Sequence, residues 1–428
     1  MTAPWSFLRK KAGFRRLWLA TAVSELGASI ARIAFILVVH ARAVASGSSS
    51  PEAANALMLI LETVPMVFFG PIAGALVDRC DRRRLLVTCN LLQAALIVSV
   101  PFLMRLDFDW PLYAVAMCVA AISTVFPPAR QSAIPDLVGI ENASTANSIS
   151  GSTTSLMFVV GMGIASLLIA QFGMDACFWF NGACFMFSAI RLAPLVLPQH
   201  LAVVEAGFQR FASDALEGIR FARRNPTILY ITACFMMAFV FIGIWMPLVP
   251  EYLRRDLGVD AETWMPFSWM AFGLGGIVGG ALGGLIGRTF GMGRTIVLIY
   301  FVEPFQMMAY FWVTSAPVMV CLSFTWGVIA FAYFVQEQTV LHEDVPAELR
   351  GRVFGLLPPL QALGTLIASV IVYLEAGMLA PRVMLLIAGV SYLVMSIVFT
   401  LSMRGARDLW MRPASVTAVR KEPLRPLS

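Results

Sequence analysis

Four ionisable side chains lie inside long apolar runs: Glu25 and Arg32 in one run, Glu62 in the next, and Glu303 far along the chain beside Pro304. An ionised group at the centre of a bilayer costs at least about 2.5 kcal/mol, so each needs a partner, water or a task. Glu25 and Arg32 are seven residues apart, which in a helix puts them on one face, roughly 10 Å apart along the axis. That separation suits two groups sharing a cavity better than a salt bridge. A purely structural use, tying one helix to a neighbour, stays open for all four. Other chemistry finds few residues to build on. His40, His200 and His342 are too dispersed for a metal cluster, and seven cysteines without paired spacing read as packing residues. No GxxxxGK[ST] phosphate loop occurs, and no nucleophile, base and orienting group gather at one depth. Neither a metal nor a cofactor is expected, and the chain is not read as an enzyme.

The elements that must position these charges are membrane spans. Of 428 residues, 59% are hydrophobic and 13% charged, against about 25% charged in soluble domains. A spanning helix needs about 20 apolar residues. Apolar runs fall near 16–40, 53–77, 84–104, 110–128, 146–171 and 174–195, then 227–250, 264–287, 295–315, 317–340, 353–375 and 380–403. The expected architecture is an all-α membrane protein with twelve transmembrane helices. It divides into a six-helix bundle over 1–195, a linker over 196–226, a second bundle over 227–403 and a basic tail over 404–428. The first run exceeds signal-peptide length and lacks a small-residue cleavage site, so it reads as a retained span. In the linker, Phe208, Phe211, Ala215 and Ile219 at spacings of three and four, with Arg210, Arg220, Arg223 and Arg224 nearby, predict a surface amphipathic helix.

With the N-terminus inside, 25 of the 31 basic residues fall in cytoplasmic segments; Arg42, Arg105, Arg254, Arg255 and Arg382 fall outside, and Arg32 within a span. This asymmetry puts both termini in the cytoplasm and accounts for the net charge of +6 without nucleic acid. An internal repeat supports two related halves. Gly74-Ala-Leu-Val-Asp78-Arg79 is answered by Gly283-Gly-Leu-Ile-Gly287-Arg288, with Asp78 and Gly287 209 residues apart; Pro135-Asp-Leu-Val is answered by Pro346-Ala-Glu-Leu, 211 apart. Glycines 275, 279, 283 and 287, and 276, 280 and 284, repeat every four residues, a pattern of close helix packing. Asn90, Gln93, Asn147, Asn181, Gln306 and Gln361 read as hydrogen-bonding groups between helices, and the Met and aromatic stripes of spans seven and nine as core or lipid-facing.

The stretch Gly70-Pro71-Ile-Ala-Gly74-Ala-Leu-Val-Asp78-Arg79-Cys80-Asp81-Arg82-Arg83-Arg84 resembles the loop motif between helices two and three of the major facilitator superfamily. Asp81 departs from the general motif, which has Gly there, in the manner of the drug and siderophore exporter branch. Phe126-Pro127-Pro128-Ala129-Arg130-Gln131-Ser132-Ala133-Ile134-Pro135-Asp136-Leu137-Val138 and Asp344-Val-Pro346-Ala-Glu-Leu-Arg350-Gly351-Arg352-Val353 resemble the same branch, which includes the enterobactin exporter and macrolide efflux proteins. The resemblance spans nearly the whole chain from Phe14. It implies two pseudo-symmetric six-helix bundles that alternate access, with a cytoplasmic gate at Gly74, Asp78, Arg79, Arg82, Arg83, Arg130, Arg350 and Arg352. Because Gly287 replaces the acid in the second copy, that lock is expected to be asymmetric.

The resemblance also implies that the first helix lines the central cavity, which makes Glu25, Arg32, Glu62 and Glu303 the candidate proton-coupling and cavity residues, with Glu25 foremost. Desolvation favours the neutral form of a carboxyl group and a guanidinium the ionised form, so such a group is able to exchange a proton during a cycle. The expected function is outward transport of a small organic molecule, a drug or siderophore-like compound, against protons, by a monomer in the inner membrane. A lysophospholipid transporter and a non-transporting membrane sensor stand as alternatives. Three acids against one base give a slight lean to cationic or amphiphilic substrates.

Overall fold

The computed structural model describes residues 4–197 and 207–412, without the side chains of 4–6, 71, 72, 74–76, 78, 79, 144, 155, 207–215, 347, 348 and 351. The described residues are helical throughout: α1 (Pro4–Lys10), α2 (Ala12–Ala45), α3 (Pro51–Arg79), α4 (Arg82–Leu103), α5 (Trp110–Val138), α6 (Ile140–Phe172), α7 (Met174–Leu192) and α8 (Gly207–Arg224), followed by α9 (Pro226–Glu251), α10 (Ala261–Ile286), α11 (Met292–Ala309), α12 (Ala316–Asp344), α13 (Ala347–Phe354), α14 (Leu357–Glu375), α15 (Pro381–Ser402) and α16 (Arg404–Met411).

Ten stretches are long and apolar enough to cross a membrane on their own. One of them, Ala261–Ala309, is two helices, α10 and α11, turned on a π-helical segment at Gly287–Gly291. The twelfth span is α7, 19 residues long and made less apolar by Asp175, Asn181 and Arg191; it packs against α2 and α4. The expected spans α2 to α7 and α9 to α12, α14 and α15 are therefore all present.

Helix ends follow local chemistry. Asp81 accepts from the Arg84 backbone N–H at 3.0 Å, Asn225 from Ile228 at 3.2 Å and Asp260 from Thr263 at 2.8 Å, capping α4, α9 and α10. The acid that sets the motif apart from its general form is thus a helix cap here. Gly139, with φ 88°, is the single residue between α5 and α6; a side chain is strained in that left-handed region.

One expectation of local structure needs correction. The stretch after residue 128, read as a connection, continues α5 to Val138 through Pro127, Pro128 and Pro135; spanning helices tolerate proline where neighbours satisfy the freed groups. Residues 207–224 of the linker form the helix α8. Gly218, Phe221 and Ala222 turn toward the protein while Leu216 and Ile219 are exposed, and Phe208, Phe211 and Ala215 lie outside the described side chains. The register is set by Gly218, where a methyl group would meet the Arg352 carbonyl at 3.0 Å.

α10 and α12 form the most extensive helix pair, and one glycine stripe explains it. A methyl group at Gly275, Gly279 or Gly327 would fall on the carbonyl oxygen of Phe324, Val328 or Phe272. The adjacent stripe behaves differently: Gly276 abuts the Phe331 ring, while Gly280 and Gly284 face open space. Gly279→Val therefore forces backbones apart and destabilises the protein by about 3 kcal/mol, whereas Gly284→Ala is neutral within about 0.5 kcal/mol. Thermal unfolding of the two variants in detergent checks this.

Candidate functional site

Along α2, the residues surrounding Arg32 are closed: Ile30, Ala31, Ile33 and Ala34 are all at most 3% exposed. Arg32 itself is exposed, the one fully exposed residue between Leu17 and Val39. A lipid-facing helix shows a repeating exposed stripe, as α7 does at Trp179, Met186 and Ile190. On α2 the half-open positions Glu25 and Ala28 lead instead, at steps of three and four, to Arg32. The open positions of α2 around Arg32 therefore fall on one face.

Two more charges meet it. On α3, Glu62 is half-buried and within electrostatic range of Arg32, as Glu25 is. On α5, Arg130 comes within 3.9 Å of Glu25, with side-chain exposures of 14% and 33%. Its Nε and Nη1 have no hydrogen-bond partner, so it is held near Glu25 without being bonded to it. Arg130, expected in the cytoplasmic gate, lies on the continued α5 beside Glu25. No sequence signal brings it to Glu25, 105 residues away.

Glu303 does not join this group. It is 3% exposed inside the second set of helices, accepting from Trp326 Nε1 at 3.0 Å and from Tyr392 Oη at 2.6 Å. Close by, Glu337 on α12 is 1% exposed and accepts from Tyr300 Oη. Sequence reading missed Glu337 because it sits near the end of an apolar run; its seclusion comes from Tyr300 and Tyr333, on α11 and α12, packed at 5.5 Å between ring centres.

The ends of the molecule differ. At the end where α2 finishes and α3 begins, Asn55 Nδ2 donates to the Pro247 carbonyl at 2.9 Å, Glu52 accepts from the Gly377 N–H at 2.8 Å, and His40 Nε2 lies 3.8 Å from Glu251. His40, Glu52, Asn55 and Glu251 are all at most 4% exposed. These contacts tie α2 and α3 to α9 and to the turn before α15. Next to them Arg254 pairs with Glu251, at 2.6 and 2.8 Å.

At the opposite end, the described gate residues bond within their own neighbourhoods. Arg82 reaches Asp136 at 2.7 Å and the Ser132 carbonyl at 3.1 Å, joining α4 to α5. Arg350 donates to the carbonyls of Val345 and His342 at the end of α12, and Arg352 pairs with Glu217 of α8 at 2.7 Å. Arg83 is exposed. The side chains of Gly74, Asp78 and Arg79 lie outside the described set. A surface groove of about 490 Å³ between α8 and Leu349 holds none of the mid-span acids.

Of the polar residues expected to bridge helices, Gln93 donates to Ser123 Oγ at 2.6 Å and Gln306 to the Leu322 carbonyl, whereas Asn90 bonds back within its own helix to Leu86.

Comparison with known proteins places this geometry. The family model described as Major Facilitator Superfamily matches residues 17–369. Macrolide efflux protein A of Streptococcus pyogenes is 24% identical over 406 residues, covering 91% of this chain and 95% of that protein. Multidrug efflux pump Tap of Mycolicibacterium fortuitum is 26% identical over 315 residues, covering 69% and 74%. Among solved structures, a bacterial homologue of the iron transporter ferroportin in an inward-facing state superposes with a TM-score of 0.71 at 15% identity, covering 94% of this chain and 99% of that one. An inward-facing bacterial homologue of the lysosomal transporter Spinster gives 0.68 at 16%, with the same coverage.

The Cβ of Ser50 stands 3.4 Å from the position of a Cβ on Gly377, close to disulfide range. Gly377 has φ 78°, so a side chain there costs about 1–2 kcal/mol, less than the ~2–4 kcal/mol of a cross-link. Ser50→Cys with Gly377→Cys, carrying a protease site between α7 and α8, cross-links on mild oxidation. The expected result is two cleaved halves that migrate together until reduced; halves that separate without reductant contradict the sealed end.

Proposed function

Since this chain belongs to the major facilitator superfamily, we propose that it exports a small organic molecule across the inner membrane by proton antiport, through alternating access of two six-helix bundles. The bundles are residues 1–195 and 227–403, joined by 196–226, with a basic cytoplasmic tail over 404–428. The observation that carries the reading is the α2 face: an arginine and a carboxylate, mid-span, open to a passage that is tied shut at one end. On the charge asymmetry of the loops the tied end is the outer one and both termini are cytoplasmic. Macrolide efflux protein A and Tap are named as efflux proteins, and their similarity along most of this chain supports export of a drug-like molecule over a sensor role. Enzymatic chemistry has no place in the reading.

Glu25 is the proposed proton carrier. It is the mid-span acid that is both open to the passage and beside a guanidinium, so it gives up a proton in one state and regains it when water or Arg130 withdraws. Substrate and proton then compete for one wall. The gate is assigned to Gly74, Asp78, Arg79, Arg82, Arg83, Arg350 and Arg352, with Arg130 linking gate to cavity. The protein works as a monomer.

Inverted vesicles containing the protein are expected to take up a labelled macrolide when their interior is made acidic, and to release it when the gradient is collapsed. Glu25→Gln abolishes gradient-driven uptake. Retained uptake in that variant removes Glu25 from the coupling. Lysophospholipid movement that ignores the gradient favours a lipid transporter instead.

A further inference from the structure

The two walls of the passage are chemically unlike, and the difference identifies a class of ligand. Arg32 and Arg130 on one side of the charge count meet Glu25 and Glu62 on the other, all four on α2, α3 and α5. Two guanidinium groups and two carboxylates give this wall no net charge. None of the four is hydrogen-bonded to another: Arg130 and Glu25 stand 3.9 Å apart, outside hydrogen-bond range, and two nitrogens of Arg130 are without partners. Arg32 is exposed and lies within electrostatic range of both acids. Opposing charges that share a compartment without closing on each other leave their hydrogen-bonding capacity for something else.

Across the interface, α9 packs against α2 and α3 and carries no charged residue between Pro226 and Glu251. Glu303 on α11 and Glu337 toward the end of α12 are turned inward and hydrogen-bonded to Tyr and Trp side chains. Removing Glu303 from the cavity and adding Arg130 changes the balance from acids in excess to equal numbers, so the slight lean to cationic substrates loses its ground.

Resting on the exporter reading, we propose that the passage binds an amphoteric amphiphile: a molecule with a cationic and an anionic centre at one end, held by Glu25, Glu62, Arg32 and Arg130, and an apolar body laid against α9. A purely cationic ligand leaves the two arginines repelling it, and an anionic one meets the two acids. Only a ligand bearing both signs satisfies both pairs.

Three probes that share one fluorophore separate these cases: ε-dansyl-lysine, which is zwitterionic, dansylcadaverine, which is cationic, and 6-(dansylamino)hexanoate, which is anionic. Dansyl emission on titration with purified protein in nanodiscs gives each affinity. The zwitterion is expected to bind roughly 10-fold tighter than either relative, equivalent to about 1.4 kcal/mol. In Arg32→Gln its advantage over the cation disappears, and in Glu62→Gln its advantage over the anion disappears. Because each variant is read as a ratio between probes, a general loss of folded protein does not mimic the result. Displacement of ε-dansyl-lysine by lysophosphatidylethanolamine points to a membrane source for the ligand, and displacement by phenylalanyl-lysine alone to a soluble one; either supports the class. Equal or tighter binding of the cation or the anion overturns it, as does failure of the zwitterion to bind. Gradient-driven macrolide uptake that persists alongside such a failure leaves the exporter reading standing and removes this one.

Discussion

Charge inside hydrocarbon is the constraint from which the arrangement follows. An ionised side chain at mid-bilayer is tolerated when it faces water or is neutralised, and this chain uses both solutions in different halves. Around Arg32 the helix closes on every other side, leaving one open stripe through Ala28 to Glu25. In the second half, Glu303 and Glu337 are each hydrogen-bonded to Tyr or Trp side chains and shut away. The first half therefore carries its mid-span charges on an open face, and the second keeps its own acids shut away.

The two ends of the passage differ in the kind of contact that holds them. One end is tied across the halves by buried polar groups, Asn55 to the Pro247 carbonyl and Glu52 to the Gly377 amide. Each such contact contributes on the order of 1 kcal/mol net, so a few of them bias one conformation without fixing it. At the other end the arginines of the motif stretches bond to acids and carbonyls on their own side. Arg82 with Asp136, and Arg352 with Glu217, hold their elements in shape, and Asp81 serves as a helix cap.

Much of this was legible in the residues. Apolar run length gave the twelve spans, and the four-residue glycine period gave the α10 and α12 contact, made by Gly275, Gly276, Gly279 and Gly283 but not by Gly280 or Gly284. Glu25, Arg32 and Glu62 declared themselves by cost. What escaped was whatever depends on packing between distant segments. Arg130 was assigned to the gate beyond an apolar run ending at residue 128, and the helix in fact continues to Val138. Glu303 looked like a cavity residue because a sequence shows that an acid is mid-span and not which way it turns.

The central claim is that the α2 stripe faces water reached from the cytoplasmic end. Placing a single cysteine by Ala28→Cys, in a chain whose seven native cysteines are replaced, tests it with a membrane-impermeant maleimide applied to either side. Labelling is expected in inverted vesicles, where the cytoplasmic face is outward, and absent or much slower in right-side-out vesicles. An Ala28→Cys thiol that reacts from neither side places this stripe in lipid, and one that reacts only from the outer side reverses the passage; either contradicts the account.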